Sequence, residues 1–285
     1  MKIAAVQMDF SITDNAGNVA RMIHQLRTAV GEGVRLAIFP ECAVPGYCFD
    51  SLADARPYAE ALDGPSVTAM TAACRELNCY AIFGMLERDG ERVFNVAILT
   101  GPKGVVGVYR KVHLPYLGVD MFTTPGDRPF AIHEVEGVKI GMQICYDAAF
   151  PEATRTLALL GADLIVLPTN WPAGAEIMSS CSIPCRAMEH QVYFAAVNRV
   201  GDERGFQFIG ESSICAPNGH FISRAQGTNP AILYAEVDPL ISRQKRIVRV
   251  PEKHIIDRTA DRRPEFYGLL TQPHKFPTPR QDYRG

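Results

Sequence analysis

Glu41, Lys111 and Cys145 each end an apolar run and precede an irregular segment. Glu41 follows Ala37-Ile38-Phe39-Pro40, Lys111 follows the run from Val105 to Arg110, and Cys145 follows the run from Val138 to Ile144. A carboxylate, an ammonium and a thiol brought to one place form a coherent chemical set. The thiolate can attack an amide-type carbon. The carboxylate can take the thiol proton and later deliver it to the departing ammonia or amine. The ammonium can hold the oxyanion of the tetrahedral intermediate. The resulting thioester is then open to water activated by the same carboxylate. Cysteine suits a carboxylate base because a thiol ionises more readily than a hydroxyl. Taken singly, each residue has an ordinary explanation: a small buried hydrophobe, a loop carboxylate, a solvated strand end. Their common placement joins them, because ligands of layered α/β proteins bind at the carboxyl ends of strands.

The elements that must carry these residues follow from apolar periodicity. Strands are expected at Ile3 to Met8, Val34 to Phe39, Tyr80 to Leu86, Val93 to Thr100 and Val105 to Arg110. The turn Gly101-Pro102-Lys103-Gly104 joins the last two. Further strands are expected at Phe130 to Val135, Val138 to Cys145, Leu164 to Pro168, Tyr193 to Asn198, Ser213 to Ala216 and Ile232 to Val237. Helical spacing covers Val19 to Val30, Ser66 (as N-cap) to Leu77, Pro151 to Leu160 and a segment before Tyr193. This interleaving predicts helices packed outside sheets. In that reading Cys145 faces the N-terminus of the helix opened by Tyr146 to Glu152, whose dipole would lower its thiol pKa.

Bulk properties narrow the class. The chain has 285 residues, a formal net charge of -2, 47% hydrophobic and 21% charged residues, an ordinary globular composition. The near-neutral balance offers no electrostatic footprint for nucleic acid or an anionic membrane. The apolar N-terminal run ends at Asp9, too early for a signal peptide, and no stretch is long enough to span a bilayer. A cytoplasmic location is expected. The eight cysteines include no CxxC spacing, so reduced thiols are expected, with no metal site. No linker marks a boundary before Val250. Residues 1–250 are expected to form one domain, and the polar, Pro- and Arg-rich tail 251–285 to pack on the body or on a partner subunit.

The ordered motifs resemble those of the nitrilase, or carbon–nitrogen hydrolase, superfamily. Phe39-Pro40-Glu41 with Pro45-Gly46-Tyr47 matches its glutamate motif, Tyr109-Arg110-Lys111-Val112-His113-Leu114-Pro115 its lysine motif, and Gly141-Met142-Gln143-Ile144-Cys145-Tyr146-Asp147 its cysteine motif. Thr124-Pro125-Gly126-Asp127, Gly161-Ala162-Asp163, Asn198-Arg199-Val200-Gly201 and Gly210-Glu211-Ser212-Ser213 extend the match over about Lys2 to Asp238. The resemblance implies an α/β fold, an α-β-β-α four-layer sandwich usually paired as a homodimer. It implies Glu41 as general base, Lys111 as oxyanion stabiliser and Cys145 as nucleophile, with no metal or organic cofactor.

The chain also departs from its relatives. Many carry a second active-site glutamate between the lysine motif and the Pro-Gly-Asp segment. Here that loop, Tyr116 to Thr123, has Asp120 as its single carboxylate, which could orient Lys111 or the substrate nitrogen. Relatives acting on nitriles carry Trp-Glu after the cysteine, whereas this chain has Tyr146-Asp147, as in the amidase and carbamoyl-hydrolase branches. Ala149 and Phe150 stand where relatives binding a substrate carboxylate place an arginine, which implies a substrate neutral near the scissile amide. Asn170 and Trp171 occupy a place where the family contacts substrate, and Tyr47, Tyr116 and Tyr146 join them as expected pocket residues. The reading is a small-molecule amidohydrolase. An N-carbamoyl hydrolase, a nitrilase, an acyl transferase and a non-catalytic binding protein remain as alternatives.

Overall fold

A computed structural model describes residues 1–283. Two six-stranded sheets lie face to face, with helices on both outer surfaces. The first sheet runs in the order Ala231–Glu236, Lys2–Gln7, Leu36–Ile38, Tyr80–Asp89, Arg92–Gly101, Gly104–Arg110. The second runs Phe221–Arg224, Ser213–Cys215, Tyr193–Asn198, Leu164–Thr169, Val138–Met142, Ile132–Val135. In each sheet three central strands are parallel and the flanking pairs antiparallel. Both sheets therefore present the carboxyl ends of their parallel strands as places to mount polar residues.

Strand periodicity divides the core into layers. Ile3, Ala5, Leu36, Ile38 and Ile82 point between the sheets, where they meet Ile140, Leu164 and Val166. The alternating residues Ala4, Val6, Ala37, Phe39, Ala81 and Phe83 point outward onto helices Asn15–Gly31 and Pro65–Leu77. Helices Pro151–Leu159 and Ile183–His190 cover the second sheet through Leu157, Ile183 and Ala187. This is the expected four-layer α-β-β-α sandwich, and both faces of its strands are apolar because both are buried.

Local differences from the sequence reading have identifiable causes. Gly64, not Ser66, caps the helix Pro65–Leu77, because Pro65 takes the first helical position and Ser66 is held by Glu60. The strand before Cys145 ends at Met142, and Cys145 itself opens a short 3-10 turn, Cys145–Ala149, which precedes the α-helix. Beyond Val250 the chain forms a hairpin with Arg246–Val250 and His254–Asp257. Its last described residues lie against the body, where Arg280 Nη2 donates to the carbonyls of Met121 and Thr123.

Candidate active site

The glutamate turn is seated directly on a neighbouring strand. Gly84 donates to the Pro40 carbonyl and accepts from the Val44 N–H, both at 3.1 Å. A Cβ at position 84 would lie 2.2 Å from the Cys42 nitrogen and 2.7 Å from the Glu41 carbonyl carbon. Only glycine allows this approach, which delivers Glu41 to the interior. Lys111 leaves its strand through two main-chain bonds, to the Asn95 carbonyl and from the Gly126 N–H, each 2.8 Å. The preceding Arg110 anchors the strand end. It pairs with Glu87, Asp89 and Asp127 and lies 3.8 Å over the Phe94 ring.

The side chains of Glu41, Lys111 and Asp120 are completely buried, with Lys111 in contact with both carboxylates. Lys111 Nζ donates to Glu41 Oε1 at 2.6 Å and to Asp120 Oδ2 at 2.5 Å. Asp120 therefore occupies the second carboxylate position on the lysine. It reaches that position from a 3-10 turn, Gly118–Met121, and Tyr47 donates its hydroxyl to Asp120 Oδ2 at 2.9 Å. Asn95 completes the network. Its amide nitrogen bonds Glu41 Oε1 at 2.7 Å and Asp120 Oδ1 at 2.9 Å, with one hydrogen available for each carboxylate. Glu41 Oε2 is buried and accepts no hydrogen bond from the described residues, which leaves one carboxylate oxygen open to take a proton.

Electrostatics set the protonation states. Burial raises the Glu41 pKa to about 7, against the opposing pull of Lys111. Burial also works against charge on Lys111, but Asp120 and Glu41 more than reverse it, and the ammonium stays protonated. Burial and the Glu41 charge push the Cys145 thiol up to about 12, while Lys111, the Thr169 hydroxyl and the Asn170 backbone N–H favour its ionisation. The expected lowering by a helix dipole does not occur. A single 3-10 turn stands between Cys145 and the α-helix, and desolvation outweighs its field. The Glu41 charge is one of the causes that raise the thiol. Transfer of the proton from sulfur to Glu41 removes that repulsion and leaves the thiolate beside the lysine ammonium. Because the base must be ionised to accept this proton, kcat/KM is expected to rise with pH between about 6 and 8 as Glu41 deprotonates. A pH–rate profile flat across that interval would contradict the assignment of Glu41.

Cys145 is held in the left-handed region, at φ 44°, a conformation that costs an ordinary side chain energy and marks functional turns. Asp147 sustains this turn. Its carboxylate accepts from the Ile144 N–H at 2.8 Å, the Tyr109 hydroxyl at 2.8 Å and the His113 N–H at 3.1 Å. His113 stacks on Phe150 at 3.9 Å. The lysine and cysteine motifs are thus pinned together through one buried carboxylate. Arg186 adds a bond to the Ala148 carbonyl and pairs with Glu189 at 3.1 Å, a scaffold role.

The other expected pocket residues separate into two groups. Tyr116 and Tyr146 are about two-fifths exposed, at 42% and 41%, and line a cavity of about 1330 Å³. Its walls include Val112 and His113, which follow Lys111 in the chain, and Tyr146, which follows Cys145, together with Phe150; Glu41, Lys111 and Cys145 themselves do not line it. Tyr47, Asn170 and Trp171 are instead interior. Asn170 donates to the Glu41 carbonyl at 2.9 Å, and Trp171 is only 3% exposed within the main core. Asn198 holds the Trp171 N–H at 2.8 Å, and Arg199, between Phe10 and Phe208, grips Glu203, which in turn accepts from the Tyr47 and Cys48 N–H groups. These residues support the site from behind and do not form its cavity wall. Asn95 escaped the sequence reading, although a lone amide inside the otherwise apolar strand Val93 to Leu99 was a usable signal.

Two stacked sheets thus hold a buried carboxylate–ammonium–thiol cluster between their strand ends. Residues 2–246 match the carbon-nitrogen hydrolase family, and the chain belongs to that family. It is 36% identical over 270 residues to a nitrilase of Pyrococcus abyssi, covering 94% of this chain and 99% of that protein. It is 33% identical to an (R)-stereoselective amidase of Pseudomonas sp., covering 79% and 81% of the two chains. In fold it resembles an amidase from Nesterenkonia sp., with a TM-score of 0.79 at 23% identity, covering 95% and 96% of the two chains. The protein is a hydrolase of carbon–nitrogen bonds. Among the described residues no helix is long and apolar enough to cross a membrane.

Proposed function

We propose that the protein hydrolyses the carboxamide of a small molecule to an acid and ammonia through a thioester on Cys145. The observation that carries this reading is the buried Glu41–Lys111–Asp120–Asn95 network, which electrostatically couples to the Cys145 thiol. Glu41 takes the thiol proton through its open Oε2, and the sulfur bonds the amide carbon. Lys111, with two N–H bonds committed to carboxylates, has a third for the oxyanion. Collapse of the tetrahedral species breaks the C–N bond as Glu41 returns the proton to the leaving nitrogen. Water, deprotonated by Glu41, then releases the acid from sulfur. Asp120 and Asn95 keep Lys111 and Glu41 in position and do not themselves transfer protons. A solved structure of the Nesterenkonia amidase, in an E41Q form, carries the acetamide moiety of fluoroacetamide on its active-site cysteine, in line with a nucleophilic thiol in this fold.

An amide is preferred over a nitrile because Tyr146-Asp147 follows the nucleophile, and Asp147 is wholly engaged in pinning the turn. The similarity to a nitrilase makes a nitrile the competing substrate. The cavity mouth has no arginine at positions 149 and 150, consistent with a substrate uncharged near the scissile bond. The reading includes a homodimer, for which the exposed Phe266, Leu269 and Leu270 supply apolar surface.

A panel of amides, carbamoyl compounds and nitriles tests the proposal, with ammonia and carbon dioxide release monitored and Cys145 examined by mass spectrometry. Ammonia without carbon dioxide, an acyl adduct on Cys145 and loss of turnover in Cys145→Ala are expected. Carbon dioxide release would favour the carbamoyl reading. A strong preference for substrates bearing a free carboxylate would refute the neutral-substrate inference, and near-normal turnover in Cys145→Ala would refute the nucleophile.

A further inference from the structure

The cavity lined by Tyr146, the residue after Cys145, and by Val112, the residue after Lys111, has a wall that comes from the far end of the chain. His274, Thr278, Pro279, Arg280, Gln281 and Tyr283 line it, opposite Tyr116, Phe122, Tyr146 and Phe150. None of these tail residues lies within the segment that matches the hydrolase family, residues 2–246. Two sets of contacts hold the segment in place. The Tyr283 ring lies 5.2 Å from that of Tyr116. Arg280 Nη2 donates to the Thr123 carbonyl at 2.7 Å and to the Met121 carbonyl at 3.3 Å. Met121 ends the 3-10 turn that carries Asp120, so Arg280 grips the loop whose carboxylate positions Lys111.

From this placement we propose that residues 274–283 form the outer wall of the acyl pocket and select substrates whose acyl group carries an aromatic ring. This rests on the amidase reading above. The chemistry of the lining supports the choice of ligand. Tyr116, Phe122, Tyr146, Phe150 and Tyr283 surround the mouth with ring faces and edges, and rings pack favourably in offset or edge-on pairs. The Arg280 contacts named here go to main-chain carbonyls of the wall itself. The volume of about 1330 Å³ far exceeds what a two-carbon acyl group fills.

The test compares the full chain with one ending at Gln272, and with Arg280→Ala and Tyr283→Ala in case the shortened chain does not fold. The ratio of kcat/KM for phenylacetamide to that for acetamide is expected to fall about tenfold, the worth of one or two ring contacts, and chiefly through KM. Labelling of Cys145 by N-phenylmaleimide, relative to iodoacetamide, is expected to slow severalfold once the wall is gone, because the reagent's ring loses the same contacts. The labelling needs no turnover, so it tests the wall even if no amide is hydrolysed, in which case the amidase reading fails separately. An unchanged selectivity ratio together with unchanged relative labelling would overturn the proposal.

Discussion

Glu41→Gln is expected to lower kcat/KM by about 10³- to 10⁴-fold while the fold persists, the range for loss of a general base in a coupled nucleophilic unit. The substitution preserves shape. The glutamine oxygen can take the place of Oε1 and accept from Lys111 and Asn95, as the carboxylate does. Its amide nitrogen then occupies the place of Oε2, the oxygen that accepts no hydrogen bond from the described residues. A proton acceptor becomes a donor aimed into the site. The thiol, pushed up to about 12 by burial and the Glu41 charge, has no partner able to remove its proton. Loss of the Glu41 charge makes the thiol somewhat easier to ionise, but burial remains the larger cause, so ionisation alone does not restore turnover. Initial rates at amide concentrations well below KM, with thermal melting as a control for folding, give the readout. A loss smaller than tenfold would show that another group accepts the proton.

Lys111→Met should be more damaging still, because it strikes stability as well as chemistry. Two carboxylates, Glu41 and Asp120, share the lysine with no exposed surface on either side. Without the ammonium they face each other through Asn95 alone. One must take up a proton, and breaking a buried ion pair by removing one partner costs about 3–5 kcal/mol. For a domain of this size that corresponds to a fall in Tm on the order of 10 °C. Turnover is expected to vanish, since the oxyanion loses its cation and the thiolate loses the charge that favours it. A variant that melts within about 2 °C of the parent would show the cluster to be less tightly coupled than its geometry requires. Asp120→Asn in the same background relieves the repulsion and should recover part of the stability without recovering activity, which separates the two effects.

The two variants differ in what they reveal about the site. In the proposed reaction Glu41 serves the chemistry, and its isosteric replacement is expected at small structural cost. Lysine 111 is the charge around which the interior carboxylates are arranged, so its removal cannot be structurally silent. Asp120 illustrates the same logic. An aspartate is shorter than the glutamate many relatives carry, yet it reaches Lys111 because Gly118, at φ 51°, packs against the Tyr47 ring and lets the turn sink into the interior. The Tyr47 hydroxyl then binds the carboxylate that the turn delivers.

Apolar periodicity predicted helices outside sheets and brought Glu41, Lys111 and Cys145 forward as one chemical set, whereas the four-layer sandwich and the part of Asp120 followed from the resemblance to the nitrilase superfamily. Alternation in segments such as Ile3 to Val6 is a local property, since successive strand side chains face opposite layers whatever the partner. The motif segments likewise carry their chemistry in adjacent residues. Three features depended on residues far apart in sequence. Asn95 meets Glu41 from 54 positions away and Asp120 from 25, and its role exists only where both carboxylates are buried around it. The thiol pKa moved opposite to the helix-dipole expectation because burial is a property of the assembled sandwich, to which a short local turn contributes little. The tail reached the cavity through Arg280, 157 residues beyond the carbonyl of Thr123 that it holds. Composition marked that tail only as polar and proline-rich. Its position depends on tertiary contacts, because a segment with so few apolar residues takes its place from the surface it meets and not from a periodicity of its own.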